Sequence, residues 1–248
     1  MSTIRSNQSE SSYKFYEQMG QLIESSPFTA LQKFQNACKY MPIVDTGRIL
    51  AKHEIFKHVL GVPGHIIECG VFQGGGLMTW AQLSAIHEPL NHVRRIVGFD
   101  TFEGFPTISD QDRSTASALA DAADFAVDNP NELTECIRLY DLYRPLGHIP
   151  RVELVKGNAL ETIPQYREKT PHLVVSMLYL DFDLYDATKL AIETFLPLMP
   201  RGAVIAFDQL VHAAWPGETL ALVDSIGINK LKLQKFSWQP QITFAVLD

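Results

Sequence analysis

Three acidic residues open the chemical reading. Asp181 and Asp183 stand in Leu180-Asp181-Phe182-Asp183-Leu184, and Asp208 closes Val204-Ile205-Ala206-Phe207-Asp208. If the first run is a strand, residues two apart point to one face, so Asp181 and Asp183 converge. Three carboxylates around one point suit a hard cation such as Mg²⁺, which prefers oxygen ligands and keeps some of its waters. Such a cation polarises a hydroxyl, and a neighbouring carboxylate takes its proton. The plainer alternative is that Asp183 and Asp186 cap the helix that follows. His212 and Trp215 come next in a loop. His212 offers a base or a substrate contact, or else a solvated surface residue. Trp215 offers a face for stacking, or else a plug at the loop's root.

A second constellation lies earlier. Ile66-Ile67-Glu68-Cys69-Gly70-Val71-Phe72-Gln73-Gly74-Gly75-Gly76 reads as a strand, a glycine-rich turn and the start of a helix. Glycines let the chain turn tightly and bring backbone N–H groups against a ligand, with a helix N-terminus just beyond. Phe72 occupies the second glycine position of a GxGxxG fingerprint, which weakens a dinucleotide reading. Glu68 would add negative charge beside a pyrophosphate and suits a cationic or zwitterionic ligand better. The next strand ends Val97-Gly98-Phe99-Asp100, an acid placed to accept hydrogen bonds from ribose hydroxyls. Acid, glycine turn, helix, strand and acid, in that order, favour an adenosyl ligand with a charged amino-acid tail. That describes S-adenosylmethionine.

The elements that must position these residues alternate. Strands are expected at His65–Val71, Arg95–Asp100, Arg151–Gly157, Leu173–Asp181 and Ala203–Asp208, with helices starting near Gly75, Leu160 and Ala187. Nearly continuous apolar runs fit a parallel sheet covered on both faces. Leu231–Ser237 and Ile242–Leu247 are too close for a helical crossover and should pair antiparallel. Before the sheet, Tyr13–Leu60 reads mostly as helix, with Ile49, His53, Phe56, Val59 and Leu60 at helical spacing and Pro27 and Pro42 as breaks. The expected fold is a doubly wound, Rossmann-like α/β sheet with a C-terminal antiparallel hairpin. Residues 1–60 form an N-terminal helical extension to a ligand-binding domain at 61–248. A polar insertion at 105–150 follows the second strand, where loops form ligand sites. A lid and a plain surface excursion fit it equally.

Composition bounds the partners. The chain has 248 residues and a formal net charge of −7, which argues against a nucleic-acid-binding surface. Its three cysteines, Cys38, Cys69 and Cys136, form no CxxC pair, so free thiols in a reducing, cytoplasmic compartment are expected. The polar, Ser-rich start has no apolar core of a signal peptide, and no run reaches the length of a membrane span.

The stretch Glu68–Gly75, followed by Phe99-Asp100-Thr101-Phe102-Glu103-Gly104-Phe105-Pro106, resembles the macrocin O-methyltransferase family. Its members are S-adenosylmethionine-dependent enzymes that methylate sugar hydroxyls in natural-product biosynthesis. Lys156-Gly157-Asn158, Leu180–Tyr185 and Trp215-Pro216-Gly217 extend the resemblance in order. By that resemblance Glu68, Cys69, Gly70, Val71, Gly74 and Gly75 hold the methionine portion of the donor. Asp100, with Thr101 and Phe102, takes the ribose, Asn158 and Ala159 border the adenine, and Asp181 closes the pocket. The resemblance also makes Asp181 and Asp208 ligands of Mg²⁺ and Asp183 the base. Relatives carry two adjacent acids after the fifth strand. This chain has Phe207-Asp208-Gln209, so Gln209 could lend only a neutral oxygen and metal binding should be weak.

The resulting expectation is an S-adenosylmethionine-dependent O-methyltransferase acting on a nucleotide-linked sugar or a glycoside, with homo-oligomer formation expected from the apolar faces of the N-terminal helices. Two alternatives stay open. Asp181-x-Asp183 also resembles the metal-dependent nucleotide-sugar motif of glycosyltransferases, which would leave Glu68 and the glycine turn without a role. The altered acidic pair would also suit a donor-binding protein without catalysis.

Overall fold

The computed structural model describes residues 9–113, 125–127 and 129–248. The Ser-rich start at 1–8 and the Asp-, Ser- and Ala-rich part of the insertion at 114–124 lie outside the described residues. The chain divides into two compact units, Met1–Leu50 and Ala51–Asp248.

The first unit holds α1 (Glu10–Ser25), α2 (Ala30–Gln35) and the start of α3 (Ile43–Val59). Pro27 and Pro42 fall in the gaps between them, as expected of residues that lack an amide donor. Ser9 caps α1, and Thr29 with Gln32 forms a capping box on α2. Neither helix buries a residue.

The second unit is built on seven strands: β1 (His65–Cys69), β2 (Ile96–Asp100), β3 (Val152–Lys156), β4 (Val175–Leu180), β5 (Val204–Phe207), β6 (Gln234–Lys235) and β7 (Thr243–Val246). Their order is β3-β2-β1-β4-β5-β7-β6. The first five strands are parallel, and β7 runs antiparallel to both β5 and β6. The fold is thus the mostly parallel α/β sheet that the sequence predicts. Only Gln234–Lys235 of the run at 231–237 pairs, which keeps the exposed edge short.

The helices of this unit are α4 (Gly75–His87), α5 (Pro130–Tyr143), α6 (Ala159–Lys169), α7 (Tyr185–Phe195) and α8 (Gly217–Ser225). Alternate strand residues feed two cores. Ile66, Ile96, Met177, Tyr179 and Ala206 pack with α3 and α4, while Ile67, Val97, Leu178, Leu180 and Ile205 pack with α6 and α7. Because β1 lies between β2 and β4, the order reverses there. The carboxyl ends of β1 and β4 therefore flank the switch point at which such sheets take ligands.

On α3 the buried stripe is Ala51, Lys52, Ile55, Phe56 and Val59. That stripe is rotated from the one expected: Ile49 and Leu60 are exposed. Among the described residues no helix is long and apolar enough to cross a membrane.

Candidate functional site

The turn after β1 is fixed by three contacts of one carboxylate. Asp100 Oδ2 accepts the N–H groups of Val71 at 2.6 Å and Phe72 at 2.8 Å, and Oδ1 accepts that of Phe102 at 2.6 Å. The acid expected to meet ribose hydroxyls thus also holds three backbone amides, and ties the turn after β1 to the turn after β2. It has to do so because the turn is unusual. Phe72 and Phe102 both have left-handed backbones, at φ 50° and 58°, which side-chain-bearing residues adopt only when their surroundings hold them.

Gly70 brings β1 against β4. Its φ is +92°, and a Cβ there would stand 2.0 Å from the Asp181 carbonyl oxygen. Gly74, at φ 89°, begins α4, and no side chain caps that helix. Leu133 of α5 lies over Gly74, so close that a Cβ on the glycine would stand 2.3 Å from it. Val127 donates its N–H to the Phe102 carbonyl at 3.1 Å. The end of the insertion thus returns over the glycine turn. A cavity of about 430 Å³ lies between them, lined by Phe72, Gly74, Gly75, Phe102, Leu133 and Cys136 among others.

Glu68 lies beneath the turn and is 1% exposed. Its Oε1 meets Lys52 Nζ at 2.9 Å, and that ammonium sits 4.0 Å above the Tyr179 ring and 4.6 Å above the Trp80 ring. Cys69 is wholly buried, and burial together with Glu68 pushes its thiol well up. Of the other expected donor residues, Asn158 caps α6 by accepting the Leu160 N–H, Ala159 is buried behind it, and Thr101 donates its hydroxyl to the Gly104 carbonyl at 2.6 Å.

The acids after β4 and β5 gather differently from the expectation. Because β4 ends at Leu180, the alternation of a strand does not reach Asp183. Asp183 instead has a left-handed backbone, φ 61°, and is 5% exposed. Asp208 is 2% exposed and takes the Tyr179 hydroxyl on Oδ1. Glu218, from the first turn of α8, joins them. It is fully buried, and its Oε2 accepts the Gln209 N–H at 3.0 Å.

Burial, with the Asp183 and Asp208 carboxylates nearby, pushes the Glu218 carboxyl well above the usual range. The folded chain then keeps a proton that the unfolded chain has released. That contribution to stability is complete below the unfolded value and is lost as pH rises through the folded one. Glu218→Gln, which cannot ionise, should therefore raise Tm above wild type at about pH 8 and far less at about pH 4. Thermal unfolding at both pH values checks this, and an equal shift at both would mean that no buried proton is involved.

The set Asp181, Asp208 and Gln209 does not fit Mg²⁺ as arranged. Among the described residues no three His, Cys, Asp or Glu side chains form a group able to hold a metal. Asp208 Oδ1 carries the Tyr179 hydroxyl, and Gln209 presents a neutral side chain while its backbone N–H is donated to Glu218. Trp215 is 4% exposed, with its ring 5.0 Å from that of Phe105, so it is the plug and not an open stacking face. His212 is half-buried in the loop, and Val211 before it has a left-handed backbone.

Residues 42–224 match the macrocin O-methyltransferase family. The chain belongs to that family. Among relatives, it is 28% identical over 155 residues to a mycinamicin III 3''-O-methyltransferase of Micromonospora griseorubida, a match spanning 62% of this chain and 58% of that one. The chain thus spans less than two thirds of this relative's length. A crystal structure of a calicheamicin methyltransferase superposes with a TM-score of 0.91 at 33% identity, covering 96% of this chain and 93% of that one. An apo structure named as a TDP-rhamnose 3'-O-methyltransferase of calicheamicin biosynthesis gives 0.83 at 29%, covering 96% and 95%. In this macrocin-type chain, sequence reasoning missed Lys52, Tyr179 and Glu218. Lys52 alone left a usable signal, since it stands three, four and seven residues before Ile55, Phe56 and Val59 on one helical face.

Proposed function

We propose that the protein transfers a methyl group from S-adenosylmethionine to a hydroxyl of a sugar, carried on a nucleotide or within a glycoside. One observation carries the reading. The glycine turn after β1 and the acid loop after β4 meet at the switch point of the sheet, with Gly70 against the Asp181 carbonyl. Similarity to enzymes named for mycinamicin III and TDP-rhamnose supports a sugar acceptor.

The turn suits the donor. The first N–H groups of α4 have no side-chain cap and match a carboxylate, and Gly75 leaves open space where another residue would place a side chain. Glu68 through Val71 form the floor of this site. Asp100, Thr101 and Phe102 border the ribose, and Asn158 and Ala159 the adenine. Bound there, the donor supplies an electrophilic methyl group. Asp183 takes the proton of the acceptor hydroxyl on a carboxylate oxygen, and its burial keeps competing water away. His212 is assigned to the acceptor side of the same rim.

Calorimetry with S-adenosylhomocysteine, followed by an assay of its formation from S-adenosylmethionine and TDP-rhamnose, tests the reading. Binding and turnover are expected; absence of binding would remove its basis. Asp100→Ala frees three backbone amides and loosens the two turns that Asp100 ties together, and the loss of a preformed donor site should weaken S-adenosylhomocysteine by about 1–3 kcal/mol, or roughly five- to 150-fold. Unchanged affinity in that variant would separate the Asp100 clamp from donor binding.

A further inference from the structure

Helix α7 is capped from a distance. Its N-cap is Leu184, which has no side-chain oxygen, and the Tyr185 N–H goes instead to Asp112 Oδ1 at 2.6 Å. Asp112 belongs to the root of the insertion, 73 residues earlier in the chain. Its other oxygen, Oδ2, accepts both the N–H and the hydroxyl of Ser109, at 2.8 and 2.6 Å, which closes the 3₁₀ turn at Asp110–Asp112. The carboxylate is 1% exposed, so these bonds do not compete with bulk water.

The third element at this point is the start of α8. A Cβ on Gly217 would stand 2.2 Å from Asp112 Oδ1, 2.6 Å from Tyr185 N and 2.9 Å from the Asp183 carbonyl oxygen. The insertion root, the acid loop and α8 therefore meet where not even a methyl group fits. Asp183, two residues before the capped amide, has its left-handed backbone there. A left-handed backbone at a residue that carries a side chain persists where its surroundings determine it. Asp112 and Gly217 are among those surroundings.

We infer that Asp112 is a positioning residue: through the Tyr185 amide it holds Asp183 in its left-handed conformation and ties the aim of that acid to the insertion. The inference rests on the reading of Asp183 as the proton acceptor for its effect on rate, but not for its effect on conformation. A mere helix cap would lower stability and leave the rate of the folded protein unchanged. A positioning residue changes the rate, because a misplacement of about 1 Å near the reacting atoms lowers it by about 10²-fold.

The test compares Asp112→Ala with Asp112→Asn, whose side-chain oxygen still accepts the Tyr185 N–H. In labelled protein, well below the Tm of each variant, Asp112→Ala should move the Asp183 Cα and Cβ chemical shifts away from left-handed values and speed exchange of the Tyr185 amide. It should lower kcat on TDP-rhamnose by about 10²-fold, with S-adenosylhomocysteine affinity within about twofold of wild type. Asp112→Asn should recover most of the rate and both signatures. Asp183 shifts and Tyr185 exchange unchanged in Asp112→Ala would overturn the inference, as would a kcat equal to that of wild type. If wild type shows no turnover with any sugar, the functional reading fails while the chemical shifts still decide the role of Asp112. If Asp112→Ala does not fold, Gly217→Ala presses on the same three atoms from the α8 side and should produce the same shift at Asp183.

Discussion

Asp183→Asn is expected to lower turnover by about 10²- to 10⁴-fold, the range for removing a general base, while donor affinity stays within about twofold of wild type. The carboxylate stands at the switch point of the sheet, 5% exposed, on the chain that leaves β4. An amide of the same shape keeps the packing but cannot take a proton. Asparagine also tolerates the left-handed backbone that position 183 requires, so the variant tests chemistry and not folding. A pre-steady-state measurement of S-adenosylhomocysteine formation, with calorimetry of donor binding alongside, checks both halves. Comparable turnover in Asp183→Asn would demote the residue to a loop former and leave Asp208 or His212 to take the proton.

Strands β1, β2, β4 and β5 were legible because they are buried on both faces, which writes a largely apolar run into the chain, whereas β3 is mostly half-buried. Leu173–Asp181 is read as a strand for that reason, and Val175–Leu180 forms one. The alternation of that strand does not extend to Asp183, where the backbone has already turned. Asp100 was legible as an acid beside the glycine turn, but not as the clamp of that turn. Three amides that approach it come from turns whose left-handed geometry is set by the fold and not by local sequence preference. The cap of α7 could not be read at all. Local candidates stood beside it in Asp183 and Asp186, and the partner that meets Tyr185 is separated by the whole of β3, α5, α6 and β4. Lys52 was readable in principle: a lysine on the stripe that carries Ile55, Phe56 and Val59 must find a buried counter-charge, and Glu68 is the acid that the sheet brings to it.

That pair gives the largest expected effect on stability. Lys52→Met should destabilise the second unit by about 3–5 kcal/mol, the usual result of removing one partner of a buried ion pair. For a domain of this size the Tm loss is roughly 6–20 °C. The side chains of Lys52 and Glu68 are 4% and 2% exposed, so water cannot replace the lost partner. Gly76 also packs against both, since a Cβ there would stand 2.2 Å from Glu68 Oε1 and 2.6 Å from Lys52 Nζ, and the carboxylate has little room to move. The opposite single change should be milder. In Glu68→Gln the ammonium keeps the faces of Tyr179 and Trp80, at 4.0 and 4.6 Å, and an amide oxygen in reach. The double variant Lys52→Met/Glu68→Gln removes both charges and should recover most of the loss. Thermal unfolding of all four proteins checks the order, and a Lys52→Met protein as stable as wild type would show that the pair carries no net energy. Donor affinity of the double variant then assigns Glu68 its role. If S-adenosylhomocysteine binds it as it binds wild type, Glu68 serves by supporting the turn from below. If affinity falls while Tm is restored, the carboxylate acts on the charged tail of the donor, as the position of Glu68 in the sequence first suggests.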